Sequence, residues 1–155
     1  MRVLVGTTLA APVAEVRAHV RTSRLLLHVA WPLTTFAAVP PTALPEVWEP
    51  GDYPVRLRSL WVLPLGRQTI SISYPDGLHG ERALRDDGHG QLARRWDHVV
   101  RLRPTGTGET FYRDEVDVDA GRLTVPVWLW AQLFYRWRQH RLRRLARRGF
   151  ADLRP

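Results

Sequence analysis

The sequence predicts an α+β fold, with antiparallel strands and helices gathered on one side of them. Three observations predict it. From Tyr53 to Asp119 apolar residues recur with period two between turn signals, the mark of half-buried strands. From about Pro126 to Arg148 the period becomes helical. Strands and helices do not alternate, which excludes a parallel sheet of βαβ units.

The elements follow in order. Residues 2–9 read as a strand, with Val3, Val5, Thr7 and Leu9 on one face. Ala11-Pro12 opens a short helix through about Arg21, because Pro is tolerated in a first turn. Thr22 to Ala30 reads as a second helical or irregular piece. Residues 31–50 hold Pro32, Pro40, Pro41, Pro45 and Pro50 and read as an extended connection, a candidate pocket lid. Val55, Leu57, Ser59, Trp61 and Leu63 alternate with Arg56, Arg58, Leu60 and Val62, and Pro64-Leu65-Gly66 reads as the turn. A strand through Gln68, Ile70, Ile72 and Tyr74 ends at Pro75-Asp76-Gly77. A short strand spans about Glu81–Arg85, and Asp86-Asp87-Gly88-His89-Gly90 reads as a turn. Strands at about 92–103 and 110–119 form a hairpin, and Gly121 leads into the last helix.

A chain of 155 residues fits one domain, 1–155, and buries enough surface to need no disulfide. The absence of Cys excludes thiolate chemistry and Cys-based zinc sites, and suits a reducing, cytoplasmic setting. No segment has the ~18 continuous apolar residues of a membrane span. The apolar N-terminus is interrupted by Gly6, Thr7 and Thr8 and reads as a strand rather than a leader. All 23 basic residues are Arg, and the net charge of +8 raises the prospect of an anionic partner.

The last hairpin and helix carry the most chemistry. Trp96, His98, Val100 and Leu102 share one face of the first strand; Tyr112, Asp114, Val116 and Val118 share one face of the second. If those apolar faces coincide, His98 and Asp114 meet, directly opposed or as diagonal neighbours. Such a pair orients an imidazole for acid–base work or satisfies itself as a structural pair. On the helix, Val127, Trp130, Ala131, Phe134, Trp137, Leu142 and Leu145 share an arc, with Arg138 near its middle and Arg141 near its edge. An Arg there needs a partner, for which Asp114 or an acidic ligand group is available, or a route to water along its stem. Leu129 and Leu133 lie on the outer arc and require cover from the rest of the fold or from a second subunit, as in a homodimer. Glu115, Asp117 and Asp119 read as solvated charges.

Phosphate-loop, dinucleotide, nucleophile-elbow and zinc-helix motifs are absent, so no cofactor is expected. His79, Asp86, Asp87 and His89 cluster on turns without the spacing of a metal site, and no metal is expected. The balance favours a binder over a catalyst. A hollow of roughly 300–1,000 Å³ is predicted between sheet and helix. Its candidate liners are Trp61, Ile70, Ile72, Tyr74, Trp96, His98, Tyr112, Asp114, Trp130, Phe134, Trp137 and Arg138, and its expected partner is an apolar small molecule. One alternative is an enzyme with His98 as general base oriented by Asp114. Another is contact with RNA or an anionic membrane through the Arg-rich face of the last helix, which holds seven Arg between Arg136 and Arg148.

The segments LWVLPLGRQTI (60–70), RRWDHVVRL (94–102), TFYRDEVDVDAGRLT (110–124) and LFYRWRQHRLRRL (133–145) together resemble the START-like superfamily, also called SRPBCC or helix-grip, and within it bacterial ligand-binding relatives of polyketide cyclases. The resemblance covers about residues 55–148. It implies a curved antiparallel sheet of about six to seven strands gripping a long C-terminal helix, with an apolar cavity between them. It implies lipid-like or polyketide-like ligands, and points to Trp96, His98, Tyr112, Asp114 and Arg138. It does not imply one reaction, because this fold hosts carriers, sensors, cyclases and hydrolases.

Overall fold

The computed structural model describes residues 1–153. The chain runs β1 (Arg2–Leu9), α1 (Val13–Val20), α2 (Ser23–Ala30), β2 (Thr34–Ala38), β3 (Gly51–Ser59), β4 (Leu63–Ser73), β5 (Arg82–Gly90), β6 (Arg95–Pro104), β7 (Thr110–Asp119) and α3 (Thr124–Arg147). The strands form one curved antiparallel sheet in the order β1-β7-β6-β5-β4-β3-β2. Helices α1 and α2 carry the chain from β1 to the opposite edge, and the remaining strands return one by one until β7 pairs with β1. Helix α3 then packs along β1, β7 and α2.

Local chemistry explains the boundaries. The Thr22 hydroxyl accepts the Leu25 N–H at 3.2 Å and caps α2. Pro126 sits in the first turn of α3, where a missing N–H costs little. At the other end Gly149 has φ +58°; its N–H reaches the Ala146 carbonyl, and Phe150 N–H reaches that of Leu145. This crossed pair stops the helix and drives Phe150 into the core, stacked on His19 with ring centroids 4.1 Å apart.

Three elements differ from the sequence expectation. The Pro-rich connection contains β2, an edge strand paired with β3 over Thr34–Ala38. The β3–β4 turn lies at Leu60-Trp61, not at Pro64-Leu65-Gly66. Leu60 and Trp61 both take positive φ (46° and 55°) without being Gly, so composition does not announce the turn. Leu65 is instead the extra residue of a bulge opposite Leu57 and Arg58. Finally, Asp86-Asp87-Gly88-His89-Gly90 is strand, not turn, and belongs to β5. A Cβ at Gly90 would lie 2.6 Å from the Arg67 carbonyl oxygen, so Gly is there for close strand approach rather than for a bend.

The interior has two apolar parts. One joins α1, α2, β3–β7 and the C-terminal turns of α3; the other joins β1, β7 and the N-terminal half of α3. Between them lies a polar belt. On α3, Arg138 and Gln139 separate Tyr135 from Leu142; on β7, Asp114 separates Tyr112 from Val116. The outer face of the sheet is a lattice of acids under guanidinium groups. Glu115 is buried beneath Arg101 at 3.0 Å, Arg113 at 3.3 Å and Arg2 at 3.3 Å. Asp97 is held by Arg85 at 2.8 Å and Arg95 at 3.1 Å. Glu115 is thus not a solvated charge. Arg suits this role because its fixed fork engages carboxylates on neighbouring strands at once.

Candidate functional site

The site begins with strand register. On β6, His98 faces Val116 of β7, while Asp114 faces Val100, so the two are diagonal neighbours on the inner face. His98 Nε2 lies 2.7 Å from Asp114 Oδ1, and the same oxygen accepts the Tyr112 hydroxyl at 2.8 Å. Asp114 Oδ2 accepts from Gln139 Nε2 at 3.0 Å, and Gln139 also donates to the Val5 carbonyl. Arg138 Nη2 donates to the Tyr112 oxygen at 3.2 Å. Arg138 thus meets Asp114 through Tyr112 rather than directly. It is only 7% exposed, so its stem does not carry the charge out to water.

Electrostatics assigns the protons. Burial would raise the Asp114 pKa, but Arg138, His98 and Gln139 outweigh it and hold the carboxyl below its ordinary value. Burial pulls His98 down more than Asp114 pulls it up, so the ring is neutral near pH 7. A neutral ring donating Nε2–H to Asp114 carries its lone pair on Nδ1, which has no partner among the described residues. Burial likewise pushes the Tyr112 hydroxyl up, so it stays protonated.

Asp86 completes the cluster. It faces His98 across the β5–β6 ladder and Ile72 across the β4–β5 ladder, which places it on the same inner face. Its Oδ1 accepts the Ser71 N–H at 2.8 Å, and the β4–β5 pairing skips from Thr69–His89 to Ile72–Asp86 at that point. A side chain has replaced a main-chain partner in the sheet. Burial pushes this carboxyl up to about 7, against the smaller opposing pull of the Ser71 N–H and Arg138. Asp86 keeps some accessible surface because it lines a hollow.

That hollow lies between the sheet and α3 and measures about 70 Å³, with an annex of about 40 Å³ beside it. It falls well short of the predicted size because Phe36, Trp96, Trp130, Phe134 and Tyr135 crowd its wall. Trp96 is fixed by its Nε1–H, which donates to the Tyr135 oxygen at 3.1 Å. Asp86, His98 and Arg138 supply the polar wall of both hollow and annex. Arg138 Nε is buried there with no hydrogen-bond partner among the described residues.

Of the residues singled out from sequence, Ile70, Trp96, His98, Trp130, Phe134 and Arg138 line the hollow, and Ile72 lines the annex. Tyr112 and Asp114 are fully buried behind His98 and Arg138. Three stand elsewhere. Trp61 occupies the turn tip, 56% exposed, and stacks on Trp31. Tyr74 donates its hydroxyl to the Trp48 carbonyl at 2.6 Å. Trp137 lies on the rim of α3, with its Nε1–H on the Trp31 carbonyl at 3.2 Å. Leu129 and Leu133 remain exposed. Sequence reasoning passed over Tyr135 and Gln139 and placed Asp86 on a turn rather than in the site. The available signal was the period-two placement of Leu84, Asp86 and Gly88, hidden by turn-like composition. Among the described residues no group of His and acids is placed to hold a metal, and no helix is long and apolar enough to cross a membrane.

No protein-family model matches the chain, and no curated protein matches it in sequence. Solved structures do match over nearly the whole length. TTHA0849 from Thermus thermophilus is 14% identical, with a TM-score of 0.69, covering 98% of this chain and 99% of that one. A START superfamily protein from Mycobacterium smegmatis is 12% identical, with a TM-score of 0.63, covering 95% and 97%. The Zhui aromatase/cyclase from Streptomyces sp. R1128 is 12% identical, with a TM-score of 0.62, covering 99% and 96%. At these identities the likeness speaks for architecture, and in architecture the chain is a START-like, helix-grip fold.

Proposed function

We propose that the protein binds a small, largely apolar molecule whose polar end is uncharged, such as a hydroxyl or carbonyl group. The observation that carries this reading is the convergence of Asp86, His98 and Arg138 in the wall of a largely apolar hollow, which Thr34 and Gln68 also line. Apolar walls supply affinity and a few placed polar groups supply orientation. The charge balance selects a neutral head group. Arg138 is already matched by Asp114 through Tyr112, and Asp86 repels an anion once it ionises. Arg138 Nε and a protonated Asp86 offer donors, and His98 Nδ1 offers an acceptor. The size of the hollow favours a single-ring or short-chain ligand, or one whose entry displaces Trp130. The lack of Cys suits residence in a reducing cytoplasm.

The test compares p-cresol with p-toluate by isothermal titration. The neutral phenol is expected to bind and the carboxylate to bind more weakly or not at all. Tighter binding of the carboxylate would overturn the reading. A general-base role for His98 is the second reading, favoured by its ordered Asp114 contact and its open Nδ1. His98→Gln would then abolish turnover of a bound substrate while leaving its binding nearly intact.

A further inference from the structure

A second site lies outside the hollow, at the C-terminal end of α3. Arg141, Arg144 and Arg148 are spaced three and four residues apart and so share one helix face. They line a surface cleft of about 180 Å³, together with His28, Trp137 and Asp152. We propose that this cleft binds the phosphate of an aromatic phosphate monoester.

The geometry of Arg141 carries the argument. Its guanidinium carbon lies 5.9 Å from the ring centroids of both Trp31 and Trp137, within cation–π reach of each indole. Its Nη2 donates to His28 Nε2 at 3.0 Å. His28 is able to accept because burial, and then Arg141 itself, keep its ring neutral. The two indoles, the imidazole and the indole-to-carbonyl bond of Trp137 fix the guanidinium in place before any ligand arrives. Its Nε is buried without a hydrogen-bond partner among the described residues.

Charge gives the ligand class. Arg144 has no ion-pair partner among the described residues. Arg148 meets Asp152 at 3.3 Å in an exposed pair, which is worth little. Three guanidinium groups against one carboxylate leave an excess of two positive charges, the complement of a dianion. Arg144 also presses on Arg141 as a like charge, and a bound dianion relieves that repulsion. Guanidinium forks pair bidentately with phosphate, whose three terminal oxygens serve three such groups where a carboxylate has only two.

The shape around the cleft gives the organic part. A wider, shallow depression adjoins it, sharing His28, Arg141 and Asp152 and walled by Trp31 and Leu27. Trp31 is 52% exposed, and since Trp61 stacks on its ring and Arg141 lies over it, an incoming ring meets the indole at its exposed edge. A phosphate seated on the three Arg leaves its organic group against that edge of Trp31.

Phenyl phosphate, inorganic phosphate and phosphatidic-acid vesicles, titrated at low salt and followed by indole fluorescence, distinguish the outcomes. Phenyl phosphate is expected to bind more tightly than inorganic phosphate. Arg144→Gln and Arg148→Gln should each weaken it about tenfold, as loss of one charged hydrogen-bond donor does. Arg56→Gln on the exposed face of β3 should leave it unchanged. Binding to the vesicles alone, lost in Arg144→Gln, would keep the phosphate site and assign it to a lipid head group. No binding of any probe at about 10 mM, or equal weakening by Arg56→Gln, would overturn the proposal.

Discussion

Replacing Asp86 by Asn should stabilise the protein, and more so as the pH rises. The folded-state pKa of about 7 lies above the ordinary value of 3.8. A carboxyl of this kind contributes its full stability below the unfolded value. That stability is lost as pH climbs toward 7 and stays lost above it, because the unfolded chain releases the proton first. The complete difference corresponds to about 4 kcal/mol, and the part developed between about pH 5 and pH 8 to roughly 3 kcal/mol. That is a large fraction of the roughly 5–15 kcal/mol that holds an ordinary domain together. Asn keeps an oxygen for the Ser71 N–H but cannot ionise. Asp114 and His98 also titrate, both with lowered pKa, but they do so in parent and variant alike. Urea denaturation of the two proteins at about pH 5 and pH 8 isolates the Asp86 contribution. The advantage of the variant should grow by roughly 3 kcal/mol between those conditions. An advantage that does not change with pH would refute the reasoning and place the Asp86 proton in the usual carboxylate range.

Two further outcomes follow from the belt and the hollow. Tyr112→Phe removes the hydroxyl that links Arg138 to Asp114 and should cost about 1–3 kcal/mol; Asp114→Ala, which strips Arg138 of its buried counter-charge and His98 of its hydrogen-bond acceptor, should cost about 3–5 kcal/mol. Reversal of that order in urea denaturation would mean that Arg138 finds another partner. Trp130→Ala should enlarge the hollow at a cost below about 3 kcal/mol, since Trp130 is only partly buried, and should raise affinity for an apolar fluorescent dye. Unchanged dye affinity would remove Trp130 from the hollow's wall.

Most of the architecture was legible in period alone. Period two on residues 92–119 placed His98 and Asp114 on one face, and only a register shift of one residue could have separated them. Their diagonal rather than direct contact was not legible, because the hairpin loop does not fix register by its length. Period 3.6 found α3 and Arg138, but its arc was rotated. Trp137 was drawn inward by its apolar bulk, whereas Tyr135 and Gln139, with polar tips that find partners inside, were left out. Trp61 was misplaced for a different reason. A turn built on two non-Gly residues in left-handed backbone leaves no compositional mark. Asp86 was hidden because Asp-Asp-Gly-His-Gly is the composition of a turn, and the sheet uses those glycines for close packing. The small volume of the hollow could not be read at all, since it depends on how five aromatic rings fill one space.

The Ser71–Asp86 bond has an effect on motion as well as on energy. Where a titrating oxygen stands in for a carbonyl, the grip between β4 and β5 strengthens when the proton leaves, since a charged acceptor holds an N–H more firmly than a neutral one. Alkaline conditions therefore tighten that seam while weakening the molecule as a whole. The protection of the Ser71 amide relative to its intrinsic exchange rate and the global stability should consequently respond to pH in opposite directions.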